Sequence, residues 1–195
     1  MDPNVLIDAA FDVCTALDTH GIRAILTGGS AATFYAPDAY QSDDIDFILA
    51  FRSAHKAEVE ILRSIGFVLA KSRQHYVRDG VVLEFPKGPL SVGGEIIPQD
   101  RFFTVNDAHR VLHVLTPTDA VCNRLESYYA WNDFSARAAA VSVVLANASR
   151  VDLRQVREWT MREYKRVKHE QKPRFNEFLD DLRRLNVSNV PEDLT

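Results

Sequence analysis

Residues 27–49 read TGGSAATFYAPDAYQSDDIDFIL, with a glycine pair at the start and three aspartates in four positions just before an apolar run. In an extended strand, side chains two apart share a face. Asp44 and Asp46 therefore point one way while Ile45 and Phe47 point the other. Asp43 falls on the opposite side from the pair, which suits a solvated or capping role. Two carboxylates on one spot repel and make ionisation costly unless a cation or donor lies between them. A divalent metal is the economical solution, and magnesium in particular joins protein carboxylates to substrate phosphates. Taken alone, the same acids also suit a solvated strand start whose charges discourage edge pairing.

Working outward, IRAIL before the glycines reads as a buried strand and SAATFY after them as a short helix, so Gly28-Gly29 reads as the turn between. Such a turn brings backbone close to a ligand, and the helix that follows offers free N–H groups and a positive dipole end to a triphosphate. Ser30 supplies a hydroxyl that either caps the helix or donates to a phosphate oxygen. Downstream, VVLEF places Glu84 as an acid in an apolar strand, facing away from Leu83 and Phe85, and makes it the candidate third carboxylate. An acid on the polar face of a half-exposed sheet is the plainer alternative.

The rest of the chain sorts into two parts. Val5 to Leu17 has the apolar spacing of a helix, stopped by Gly21. IDFILAF, FVLAK, QHYVR and VVLEF read as strands, the last two joined by an Asp79-Gly80 hairpin, and SAHKAEVEILRSIG reads as a helix between the first and second. EII, RFFTV and VLHVL follow as strands of unassigned pairing after the turn-rich KGPLSVGGE. From Thr116-Pro117 onward, with Asp119 in the first turn, helices are expected at 117–131, 134–147, 152–164 and 167–185. The expected fold class is thus α/β (α+β), a mixed sheet flanked by helices in residues 1–115, followed by a helical bundle in 116–195.

The chain of 195 residues is 46% apolar, enough for a substantial core. Its formal charge of -4 argues against wholesale coating of nucleic acid, although residues 146–175 carry nine Lys or Arg against four Asp or Glu. The basic run REYKRVKHEQKPR within them suits a solvated helix and loop better than an RNA-contacting surface. The two cysteines, Cys14 and Cys122, sit in apolar helical patterns and read as buried thiols. No HExxH, GxxxxGK[ST] or GxGxxG motif occurs. No window approaches the roughly 18 apolar residues of a membrane span, and no signal-like N-terminus is present, so the cytoplasm is the expected compartment and no membrane partner is expected.

The ordered set Gly28-Gly29-Ser30, Asp44-Ile45-Asp46 and Glu84, over residues 22–86, resembles the nucleotidyltransferase superfamily of the polymerase-β type, in particular its minimal and abortive-infection toxin-type bacterial forms. LTPTDAVCNRLESYYAWND resembles the segment after their catalytic core more weakly. The resemblance implies magnesium or manganese held by Asp44, Asp46 and Glu84, with a nucleoside triphosphate on Gly28, Gly29 and Ser30. It implies transfer of a nucleoside monophosphate to a hydroxyl of tRNA or protein, and an antitoxin as partner. Arg124, Lys71 or Lys87 would supply a positive charge. The chain departs from the family pattern in the longer interval from Ser30 to Asp44 and in having Glu as third acid where Asp is common. A noncatalytic nucleotide- or partner-binding member and a metal-dependent phosphohydrolase are the other readings of these residues. The aromatics Tyr128 and Trp131 suit packing better than base stacking.

Overall fold

A computed structural model describes residues 2–49, 55–71, 75–98, 100–167, 171–187 and 190, with 55–57, 164–167 and 171–173 described by backbone alone. The expected strand end at 50–51, the expected helix start at 53–54, Gln74 and most side chains of the basic run 162–174 lie outside the described residues.

Helix α1, Pro3–Asp18, begins with Asp2 accepting the Asn4 N–H at 2.9 Å and with proline in its first turn. Of its periodic residues, Leu6, Ala9, Ala10, Val13, Cys14 and Leu17 are buried, while Val5 in the first turn is exposed. Strand β1, Ala24–Thr27, is buried throughout and runs directly into α2, Gly28–Tyr35. The glycines expected as a separate turn are the first residues of this helix. Gly28 adopts φ +63°, which lets the chain pass from extended to helical within one residue. Strand β2, Asp44–Leu49, is followed by α3, His55–Ser64, and then by β3, Val68–Leu69, β4, His75–Arg78, and β5, Val81–Glu84. Asp79 and Gly80, both at positive φ, close the β4–β5 hairpin as the sequence suggests.

Two short strands, β6 (Ser91–Val92) and β7 (Glu95–Ile96), pair with each other outside the main sheet. β6 is too short and too closely flanked by glycine and proline to show a strand pattern in the sequence. Strands β8, Phe102–Asp107, and β9, Arg110–Leu115, form the last hairpin. The main sheet has seven strands in the order β3-β4-β5-β2-β1-β9-β8. β1 is antiparallel to β2 and parallel to β9, while β2 is parallel to β5, so the sheet is mixed as expected.

Helices α4 (Pro117–Trp131), α5 (Phe134–Ala146), α6 (Leu153–Val167) and α7 (Gln171–Arg184) complete the fold. Thr116 caps α4 by accepting the Asp119 N–H at 3.1 Å, which is the predicted start. Helix α2 packs on both α4 and α5, and one apolar cluster runs from Leu6 and Phe47 through Leu125 to Phe178. The β6–β7 hairpin is tied to α6, because Trp159 Nε1 donates to the Val92 carbonyl at 3.1 Å and Glu163 accepts the Gly94 N–H at 2.9 Å. Among the described residues no helix is long and apolar enough to cross a membrane.

Candidate metal and nucleotide site

Strand alternation delivers the acids as the pattern requires. Ile45 and Phe47 are fully buried beneath the sheet, whereas Asp44 and Asp46 are half-buried on its other face, and Asp43 is exposed. The parallel pairing of β2 with β5 sets Asp46 directly beside Glu84 and Asp44 beside Val82. One carboxylate oxygen from each of Asp44, Asp46 and Glu84 lies within 4.8 Å of the others. Residues 38 positions apart in sequence (84 minus 46) thus meet through register alone.

The glycine segment closes one side of this cluster. A Cβ on Gly28 would fall 2.1 Å from Asp46 Oδ2, so the carboxylate occupies the volume that any side chain at position 28 would need. Gly29 is equally constrained, with Ser42 Oγ 2.6 Å and the Tyr40 hydroxyl 3.1 Å from where its Cβ would stand. The first N–H groups of α2 have no partner within the helix and form its positive end. They stand beside the acids. The Ser30 hydroxyl is fully buried, donates to the Thr27 carbonyl at 2.8 Å and accepts the Asp46 N–H at 3.1 Å. Its side chain therefore ties α2 to β2, and what remains for a phosphate is its backbone N–H.

Electrostatics single out Asp46. Burial first, then the charge of Asp44 and that of Glu84, push its pKa from 3.8 up to about 6, with Arg124 opposing the rise. Asp46 thus lacks the positive charge that would let it ionise easily. A hard divalent cation with oxygen ligands fits this donor set. Arg124 comes from α4, where its Nη2 donates to Asn123 Oδ1 at 3.0 Å and its buried Nε has no hydrogen-bond acceptor among the described residues. Its charge acts on Asp46, opposing the rise. Lys71 and Lys87 are exposed.

Several neighbours escaped the sequence reading. Ser42 Oγ donates to Asp44 Oδ1 at 3.0 Å, and the Ser42 N–H donates to Thr33 Oγ1 at 2.8 Å. Only the closeness of Ser42 to the acidic run hinted at this. His75 pairs with Glu84 across β4 and β5, a relation that needed the strand register. Further from the acids, Tyr128 is buried as packing requires, while Trp131 is 83% exposed and does not pack. Cys14 and Cys122 are buried, and burial pushes the Cys14 thiol up to about 12, as expected of inert thiols.

No family model and no curated protein matches the chain. Among solved structures, an antigenic nucleotidyltransferase-like protein from Paracoccidioides brasiliensis superposes with a TM-score of 0.54 at 16% identity, over 72% of this chain and 75% of that one. This chain has the nucleotidyltransferase-like fold. Two structures of ANT(2'')-Ia are also similar at 16% identity. One, in complex with adenylyl-2''-tobramycin, has a TM-score of 0.45 over 73% of this chain and 95% of that one. The other, a solution structure of this antibiotic-resistance factor, has 0.47 over 87% and 100%. In this nucleotidyltransferase-like fold, the three acids stand on the two adjacent parallel strands β2 and β5, and α2 opens beside them.

Proposed function

We propose that the protein is a metal-dependent nucleotidyltransferase that moves a nucleoside monophosphate from a nucleoside triphosphate to a hydroxyl acceptor. The observation that carries this reading is the meeting of Asp44, Asp46 and Glu84 beside the glycine-led N-terminus of α2. Carboxylates that repel one another next to an anion-binding helix end suit a ligand that brings cations and phosphates together.

Asp44, Asp46 and Glu84 would hold magnesium or manganese, which when bound would neutralise the triphosphate and the charge that develops at the attacking and leaving oxygens. The backbone N–H groups of Gly28, Gly29 and Ser30 would hold the phosphates. Arg124 would meet phosphate charge from the α4 side through its free Nε. Glu84 would orient the acceptor hydroxyl and take its proton as the oxygen attacks the α-phosphorus and pyrophosphate leaves. Residues 1–115 would form the catalytic unit, with 116–195 completing the cleft and selecting the acceptor. The acceptor would be tRNA or a protein hydroxyl and the setting a cytoplasmic toxin with its antitoxin, a reading supported by the motif resemblance alone.

The test is incubation with magnesium and each α-labelled triphosphate in a cell extract containing RNA and protein. Label moves to a macromolecule with the native protein and not with Asp44→Ala or Asp46→Ala. Labelled monophosphate or diphosphate without a labelled macromolecule would point to a phosphohydrolase. Triphosphate binding with no product would point to a binding module.

A further inference from the structure

We infer that Ser42 is a positioning residue, holding Oδ1 of the Asp44 carboxylate and so orienting that carboxylate as a metal ligand. This rests on the reading of the acids given above. Ser42 is itself 6% exposed, and its hydroxyl gives its only proton to Asp44 Oδ1 at 3.0 Å. The hydroxyl is held in turn. The Ser42 N–H donates to Thr33 Oγ1 at 2.8 Å, and that oxygen donates to the Gly29 carbonyl at 3.2 Å. Thr33 is fully buried, and Gly29 leaves room for Ser42 Oγ only because it has no side chain.

A continuous polar chain therefore runs from the first turn of α2 through Thr33 and Ser42 to Asp44. A carboxylate with a fixed hydrogen-bond donor loses less freedom on binding a cation, and removal of such an outer partner costs roughly 10- to 100-fold in metal affinity. Ser42 lies in the irregular approach to β2, two residues before Asp44 and separated from it by a bend at Asp43.

The test uses the full chain and Mn2+ alone, titrated by calorimetry and by the electron paramagnetic signal of the free ion. Ser42→Ala is expected to weaken Mn2+ binding by about tenfold or more. In the transfer assay, the metal concentration at half-maximal rate should rise by a larger factor than kcat falls. Thr33→Val, which keeps shape and removes the oxygen that holds Ser42, should weaken Mn2+ binding about threefold, by the same loss of support. If Ser42→Ala does not fold, Ser42→Cys keeps its volume with a weaker donor, and a loss of at least about threefold is then expected. Folded Ser42→Ala or Ser42→Cys with unchanged Mn2+ affinity would overturn the role of Ser42 while leaving the acid site intact. Native protein whose Mn2+ binding is indifferent to Asp44→Ala would overturn the reading of the acids, and this role with it.

Discussion

Asp46 on β2 and Asp119 on α4 are both carboxylates taken largely out of water, yet their surroundings are opposites. Asp119 is 1% exposed and fully partnered: Arg101 Nε donates to its Oδ2 at 2.9 Å, a second Arg101 nitrogen reaches Oδ1, and the Thr116 hydroxyl donates at 2.7 Å. Arg101 and Arg162 also share Glu95, so this acid sits in a network that joins β7, α4 and α6. Asp46 instead faces two other carboxylates and feels the charge of one arginine, Arg124, and its pKa rises to about 6. A buried charge that is matched serves the fold. One left short of positive charge is poised for a ligand that supplies it.

This contrast can be broken from either side. The largest effect is expected at the unmatched acids, where Asp44→Ala or Asp46→Ala should lower nucleotide transfer by roughly a thousandfold, about 4 kcal/mol, with the melting temperature maintained. Circular dichroism and label transfer measured on the same preparation check both halves. Next comes Asp119→Ala, which should cost about 3 kcal/mol of stability, because it leaves the partly buried Arg101 with Glu95, which Arg162 already shares, as its remaining partner. The arginine is 31% exposed and can partly turn to water, which keeps the loss at the low end for a broken buried pair. A thermal melt should fall by roughly 6–12 °C for a chain of this size.

The third effect has the opposite sign. Because the pKa of Asp46 is raised by folding, the folded metal-free protein binds more protons than the unfolded chain between 3.8 and about 6. The stability this group contributes is complete below the lower value and is lost as pH climbs through the upper one. Discounted for partial exposure, the loss is on the order of 2 kcal/mol. Asp46→Asn should therefore melt higher than the native protein at pH 7 without metal, and the advantage should shrink towards pH 4. A higher melting temperature only at pH 4 would contradict the electrostatic account. The smallest effect belongs to Arg124→Gln, expected to raise KM for the triphosphate about tenfold, roughly 1.4 kcal/mol, with little change in melting temperature. Steady-state kinetics resolve it.

The contrast also shows where sequence reading reaches. Asp44, Asp46 and Glu84 were readable because a period of two assigns faces without any knowledge of neighbours, and a Thr-Pro-x-Asp start declares a helix locally. Asp119 was readable as a first-turn acid, but its ion pair with Arg101 was not, since that contact depends on how the segment before β8 lies against α4. The Ser30 hydroxyl was open to two roles on paper, and only the position of β2 against α2 shows it joined to Thr27 and Asp46. His75 beside Glu84 is invisible for a similar reason, because strand register comes from the whole sheet. Of the β6–β7 hairpin only the EII strand was read, because the two residues of β6 carry no period, and the hairpin's place is set by Trp159 and Glu163 from α6.

The volume that Gly28 leaves to the Asp46 carboxylate has a consequence for inheritance. The Asp46 carboxylate sits 2.1 Å from where a Cβ would stand, so the two positions are locked together like a key and its cut. A lineage that keeps the chemistry cannot drift at residue 28, whatever pressure falls on the rest of α2. A lineage that has lost the acid and settled on a small residue in its place is released from the clash at position 28, where only the positive φ then still favours glycine. In a collection of descendants, a side chain at position 28 should therefore travel with loss of the aspartate at 46, and that pairing would sort retired copies from working ones before any of them is purified.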